Sequence, residues 1–375
     1  MGVVVSKSRK LFEEVDHRRE TPVPDTGPGG TSAIRIWLAI LLLLTLATIL
    51  LGGLTRLTDS GLSITEWKPL TGILPPLSDI AWSTEFAKYQ VIPEFRLQNS
   101  EMDLDSFKAI YWWEWTHRQL GRLVGLVWFA GFAWFACRRE LRSRRLMGST
   151  VIGGLIALQG AVGWWMVASG LTGDALDVAP YRLAIHLGLA FAITGLLLWQ
   201  LQHLSRDHHV HLQARREREG TLELPSLVLM CLVFLQILAG GIVAGNDAGA
   251  AFPTWPLMNG EFFPADSFSN TPFLTNFVEN LSLVTFMHRS IGYLTVLSAA
   301  LAWWMSRSSA RLQSKRGFTW MLGLILGQST LGILTSLHAA STPTAILHQL
   351  GAIIVFSAAI RLRYICMYPE LIRRG

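Results

Sequence analysis

Charge is scarce in this chain. Of its 375 residues only 15% are Asp, Glu, Lys or Arg, against 51% hydrophobic, where a soluble domain carries about a quarter charged residues. Mean hydropathy is +0.37. The shortage excludes a large soluble helical protein. Cysteine is scarce too: Cys137, Cys231 and Cys366 stand singly, in the inner half or at the inner ends of apolar runs, so no disulfide framework forms in an oxidising outer space. Lys and Arg are missing altogether from 246–280 and from 339–343. The net charge of +6 and the pI near 9.5 therefore reflect an uneven distribution of basic residues between loops, and they do not call for nucleic acid.

What the sequence has is apolar runs. Eight, at 34–54, 112–136, 147–169, 180–203, 225–245, 283–305, 318–339 and 343–365, are each long enough for a hydrocarbon core that needs about 20 helical residues. Basic residues follow the second run (Arg138, Arg139, Arg142, Arg144, Arg145), the fourth (Arg206, Arg215, Arg216, Arg218) and the sixth (Arg307, Arg311, Lys315, Arg316), and both tails are basic. Short basic loops stay on the inner side, so both termini lie inside. The segment 1–33, polar and rich in Pro and Gly, reads as a flexible tail. LFEEVDHRRE is too acidic for a mitochondrial presequence, and MGVVVS fits an N-myristoylation pattern that six common residues easily meet.

The chain repeats itself. LLGGLTRLTDSG at 50–61 answers to LAGGIVAGNDAG at 238–249, and WEWTHRQLGRLVGL at 113–126 to VTFMHRSIGYLTVL at 284–297. ALQGAVGWW at 157–165 answers to LGQSTLGIL at 326–334, and YRLAIHLGLA at 181–190 to TAILHQLGAI at 344–353. The separation between matched segments shrinks from the first pair to the last, because the first half has longer loops. The expected fold is an all-α integral membrane protein, eight transmembrane helices arranged as two tandem pseudo-symmetric four-helix bundles. The N-terminal bundle spans 34–203 with a long outer loop at 55–111; a basic inner linker, 204–222, leads to the C-terminal bundle, 223–366, and an inner tail, 367–375.

Of ten histidines, four recur at matching places: His117 and His186, then His288 and His348. They fall on the second, fourth, sixth and eighth runs, each four to six residues past the expected helix start, roughly 6–9 Å below the outer boundary at 1.5 Å per residue. Each half thus offers two histidines at one depth, a donor set suited to a haem iron held between two imidazoles. A lone intramembrane histidine is more often a helix–helix hydrogen-bonding group; four at repeat positions are not explained that way. A di-iron site, suggested by Glu114-x-x-His117, fails because Thr285 stands where the second half needs an acid. Zinc wants more ligands per bundle. His338 has no repeat partner and reads as a polar interface residue, and DHHVHL at 207–212 as solvated. Arg118 and Arg289 directly follow two of the repeat histidines, and Arg122 lies one turn on; guanidinium forks suit haem propionates, the competing role being snorkelling to outer headgroups. Glu114 shares the His117 face of its helix and has no counterpart in the second half.

GGLTRLTDSGLSITEWKP, the IPEF of the first outer loop, EWTHRQLGRLVGL and NDAGAAFPTWPLMNG resemble the haem A synthase family, in its mitochondrial and alphaproteobacterial form. The resemblance covers nearly the whole chain after the tail. It implies oxidation of one ring methyl of haem O, through an alcohol, to the formyl group of haem A, which serves a terminal cytochrome oxidase. It implies a haem b cofactor in the C-terminal half, on His288 and His348 with Arg289 beside it, and substrate haem between His117 and His186 with Arg118. It makes Glu114 a functional acid. Taken with the acidic N-terminal stretch, which does not suit a presequence, the expected location is a bacterial inner membrane rather than a mitochondrial one; association with a haem O synthase, an electron acceptor and a second copy stays open. Another branch of the family carries a cysteine pair in its outer loops; none is present here, so a thiol step is not transferred. Two other functions share the same ligand pattern: a di-haem b-type electron carrier and a haem transporter.

Overall fold

A computed structural model describes residues 28–141, 143–173, 175–206 and 208–370. The MGVVVS motif, most of the expected tail 1–33, Arg142, and Arg373 and Arg374 of the last tail lie outside the described residues.

The described residues are built from helices. In order these are α1 (Pro28–Leu57), α2 (Asp79–Tyr89), α3 (Pro93–Leu97), α4 (Leu104–Cys137), α5 (Ser143–Val167), α6 (Pro180–Leu204), α7 (His208–Arg216), α8 (Gly220–Gly245), α9 (Ala248–Ala251), α10 (Asn276–Glu279), α11 (Leu281–Ser306), α12 (Leu312–Leu337) and α13 (Thr342–Met367). Local chemistry sets several boundaries. Asp103 accepts from the Ser106 N–H at the start of α4, and Asn280 from the Leu283 N–H at the start of α11, each 2.8 Å away. Proline stands first in α6 and second in α13, where a missing N–H is harmless.

Among the described residues seven helices are long and apolar enough to cross a membrane: α1, α4, α5, α6, α8, α12 and α13. The run expected at 283–305 is also helical, as α11. Its apolar run is diluted by the polar turn His288, Arg289, Ser290 and by Tyr293 and Trp303. The second helix differs from expectation at its start. α4 begins at Leu104, about two turns before 112, because Asp103 caps it and its first turns bury Phe107 and Tyr111 under the outer loop. His117 consequently lies well inside its helix, unlike His186, His288 and His348, which sit close to the starts of theirs.

Packing follows the repeat. α1 packs on α4 and α6, α4 on α5, and α5 on α6; α8 packs on α11 and α13, α11 on α12, and α12 on α13. The halves meet through α6 against α8 and α13, and α1 against α13. One buried cluster lies within the first four long helices, around Leu38, Leu41, Ile152 and Leu197. A second joins α6 to the last four, around Phe191, Leu229, Met321 and Phe356. Large apolar side chains such as Leu43, Phe129, Leu224, Leu301 and Trp320 stay exposed on the outer surfaces of the long helices, as a hydrocarbon solvent requires.

Polar side chains mark both ends. At one end Arg56 meets Asp59, Asp177 and Asp247 at 3.1, 3.5 and 2.5 Å, bringing the loops after α1, α5 and α8 together. At the other, Arg311 pairs with Glu217 at 2.9 Å and Arg206 donates to the Tyr368 carbonyl at 2.6 Å. His211 of the DHHVHL stretch is not simply solvated. It lies in α7, its ring 4.3 Å from that of His203 and 3.9 Å from that of Tyr368.

Candidate functional site

The four repeat histidines share one local construction. Each ring lies over a glycine on a neighbouring helix: His117 of α4 over Gly52 of α1, His186 of α6 over Gly163 of α5, His288 of α11 over Gly240 of α8, and His348 of α13 over Gly332 of α12. A methyl group at those glycines would lie 2.8, 2.8, 3.1 and 2.9 Å from the respective ring Cε1, closer than carbon atoms pack at their optimal separation of roughly 3.5–4.0 Å. A Cβ at these positions would push the ring from its place, which glycine avoids. The His288 and His348 rings stand 6.5 Å apart between centroids, at 79°. The Nδ1 atoms of His117, His186 and His288 are buried without a hydrogen-bond partner.

α4 explains its own buried charges. Glu114 is only 3% exposed. One carboxylate oxygen accepts from the Ser63 hydroxyl and the Ile64 N–H, both at 2.7 Å. The other accepts from Arg118 Nη2 at 2.6 Å and Nε at 3.0 Å. Arg118 also donates to the carbonyls of Ile64 at 2.7 Å and Glu66 at 3.0 Å. Further along the same helix, Gln119 donates to the Gly72 carbonyl at 3.0 Å, and Arg122 to those of Lys68 at 2.8 Å and Pro69 at 3.0 Å. A single helix face thus clasps the segment 63–72. The second half repeats half of the device: Arg289 donates to the Phe252 carbonyl at 3.0 Å and to the Ser336 hydroxyl at 2.9 Å. Ile64 and Phe252 are as far apart in the chain as the paired glycines Gly52 and Gly240, so the two arginines hold equivalent loop carbonyls. Thr285, in the place of Glu114, has a buried hydroxyl with no partner.

Residues 35–360 match the family described as cytochrome oxidase assembly protein. Proteins named haem A synthase are similar along their whole length. That of Dinoroseobacter shibae is 48% identical over 97% of both chains, that of Paracoccus denitrificans 47% over 96% of this chain and 97% of its own, and that of Ruegeria pomeroyi 49% over 97% and 98%. The chain belongs to the haem A synthase family. It is a multi-pass membrane protein of the bacterial type, as its alphaproteobacterial relatives and seven apolar helices require.

The residues fit haem. Neutral imidazole is a common iron donor, and iron would take one nitrogen of each ring, leaving the other as a donor. Among the described residues no group of three or more His, Cys, Asp or Glu could hold a bare metal ion. The geometry adds residues that the motifs alone do not reveal. Gln159, Gln236 and Gln328 set their amides against His186, His288 and His348. Ser63 holds Glu114. The signal for Gln159 and Gln328 is their matching place in the repeated segments ALQGAVGWW and LGQSTLGIL; Gln236 has none, since its repeat mate is Thr48.

Proposed function

We propose that this chain oxidises a ring methyl of haem O, through an alcohol, to the formyl group of haem A for a terminal cytochrome oxidase. The observation that carries the reading is the matched set of four histidine rings, each seated on a helix glycine, in a chain of the haem A synthase family. The architecture we infer is eight spans in two tandem four-helix units, 34–203 and 223–366, linked through 204–222. The pairing of α11 with α8, as of α4 with α1, supports it. Both termini face the inner side of the bacterial inner membrane, because the basic loops gather at the end opposite the Lys- and Arg-free loop 246–280. A haem O synthase supplies the substrate, water supplies the oxygen atom, and an electron acceptor takes up the two electrons released at each of the two steps, with the protons passing to solvent.

His288 and His348 hold a haem b, with Arg289 fixing the loop beside it. When bound, that haem supplies one-electron transfer. His117 and His186 bind the substrate haem. Glu114 keeps a negative charge in place near the outer edge of that site. Arg118, Ser63 and the Ile64 N–H orient its carboxylate in advance, so no reorganisation is needed as positive charge develops or a proton leaves at the ring methyl. Arg118 serves by orienting Glu114 and closing the loop over the site.

Expressing the chain with a source of haem O and extracting the pigments tests the proposal. Haem A, with the alcohol as a minor companion, is the expected product. Recovery of haem b alone would leave a di-haem electron carrier, and release of unmodified haem O a transporter.

A further inference from the structure

Three of the four histidines have a glutamine at their side, and the fourth does not. Gln159 Nε2 lies 3.3 Å from His186 Nε2 and 3.0 Å from the same residue's carbonyl. Gln328 Nε2 lies 3.2 Å from His348 Nδ1 and 2.9 Å from its carbonyl. Gln236 Nε2 lies 3.3 Å from His288 Nε2. The position equivalent to Gln236 in the first half, four before Gly52 as Gln236 is four before Gly240, is Thr48. Its hydroxyl is spent on the Leu44 carbonyl at 2.8 Å. His117 and His288 are otherwise alike: each rests on its glycine, and each has the backbone of residue 48 or 236 beside the ring. Only His288 gains an amide.

The amide has a use once iron takes one ring nitrogen. The other nitrogen then carries a hydrogen and needs an acceptor, which fixes the ring plane and raises the basicity of the ligand. The Oε1 atoms of Gln159, Gln236 and Gln328 are all buried without a partner. Gln236, whose Nε2 meets only the ring, can present that oxygen to His288 by a half-turn about its last bond; Gln159 and Gln328 use Nε2 to hold the carbonyl of the histidine they flank and so restrain its place on the helix. The Nδ1 atoms of His117, His186 and His288 are all buried and unpartnered; the amides of Gln159 and Gln236 lie at Nε2 of their rings, and His117 has no glutamine amide at either nitrogen.

Resting on the haem reading above, we propose that His117 is the exchangeable ligand of the substrate haem. Haem O arrives, and haem A leaves, on the His117 side, while His186, backed by Gln159, retains its hold. Gln236 and Gln328 secure the resident haem from both faces. A site that turns over needs one weak bond; a permanent cofactor needs none. Thr48 and Gln236 are the positioning residues that make the difference.

Exchanging them tests it on the full-length protein, with haem transfer to an excess of apomyoglobin as the readout. Loss of a ligand's hydrogen-bonding partner costs roughly 10–100-fold in metal affinity. Gln236→Thr should therefore speed haem b loss by about tenfold or more, with its low-spin spectrum shifted. Thr48→Gln should slow release of haem O and haem A by a similar factor and lower turnover, leaving haem b untouched. Wild-type release rates in both variants would overturn the inference. Should Thr48→Gln fail to accumulate, Gln236→Thr alone decides, since unchanged haem b loss contradicts the role given to the amide. If wild-type protein carries no bis-histidine haem b, the reading of the site itself has failed, and the exchange is then irrelevant.

Discussion

The two halves of this molecule share one scaffold and differ in a few side chains that carry chemistry. Both seat histidines on glycines, both aim an arginine at an equivalent loop carbonyl (Ile64 or Phe252), and both cap the site with the loop so held. The first half alone has an acid, Glu114, where the second has Thr285. The second half alone has Gln236, where the first has Thr48. The first outer loop also carries its own folded layer, α2 and α3, around buried Tyr89, Ile92 and Phe107, and that layer contains a buried acid, Glu94. A duplicated scaffold supplies position; the unduplicated residues supply function. A carboxylate near hydrocarbon costs free energy, and in the proposed division of labour the half that only holds a haem does without it.

The largest effects should come from the histidines, and they divide by half. Replacing His288 or His348 by alanine should deplete the low-spin b-type spectrum of the purified protein. Replacing His117 or His186 should leave most of that spectrum and reduce haem A below detection. Equal loss of haem b from all four variants would erase the division between a cofactor half and a substrate half.

Next is Glu114→Gln, which keeps shape and one acceptor but gives up the charge that Arg118 and Ser63 hold. Haem A yield should fall on the order of a hundredfold, the usual scale for a preorganised electrostatic group, while haem b content stays near normal. Haem O or the alcohol should accumulate. Thr285→Glu in the other half should confer no conversion there, because no Ser63 equivalent awaits it. A Glu114→Gln variant with wild-type haem A yield would reduce the acid to a loop fastener.

Smaller effects are expected from alanine at the four glycines. Alanine is the better helix former by about 1 kcal/mol, so any loss reports crowding of the ring. Gly52→Ala and Gly163→Ala should lower conversion by roughly tenfold through a slight displacement of the ligand; Gly332→Ala should perturb the haem b spectrum. Gly240→Ala, with the most room at 3.1 Å, should perturb it least. Visible and electron paramagnetic resonance spectra of the purified variants decide the ranking.

How much of this was legible follows from what repeats. The apolar runs, the inner basic loops and the four histidines recur in matched order, and periodicity is a one-dimensional signal. The role of Arg118 and Arg289 was not legible. A haem carboxylate and a loop carbonyl are equally good partners for a guanidinium, and only the fold places Ile64 and Phe252 within reach. The glycine pairs at 52–53 and 240–241 were visible as a repeat, but their purpose depends on which ring crosses them. Gln236 was invisible because its repeat mate is a threonine. The burial of Glu114 was not legible, because α4 starts two turns earlier than its apolar run, under a loop whose packing no local pattern announces.

The smallest effect separates the two outer caps by their response to pH. The first is held by Glu94, 4% exposed, which accepts from the Tyr89 hydroxyl at 3.0 Å and the Asn99 amide at 3.3 Å. Burial, with the nearby carboxylates of Asp177, Asp59 and Glu114, pushes this acid from its ordinary 4.5 up to about 7, against the opposing pull of the Tyr89 bond. The second cap uses amides instead. Buried Asn276 donates to the carbonyls of Asn270 at 3.0 Å and Phe273 at 2.8 Å, and Asn280 to that of Asp266 at 2.8 Å. Between pH 4.5 and 7 the folded first cap binds a proton that the unfolded chain has released. Its stability must therefore fall as pH rises through that window and level off above it, by no more than about 3 kcal/mol. The second cap, without such a group, should hold constant. Limited proteolysis across pH 5 to 8, comparing cleavage within 79–103 and within 252–275, measures the contrast. Glu94→Gln keeps the acceptor for Tyr89 and removes the titration, so it should abolish the pH dependence of the first cap and protect it above pH 7. Equal pH responses in the two caps, or a first cap that tightens as pH rises, would show that burial does not govern this acid.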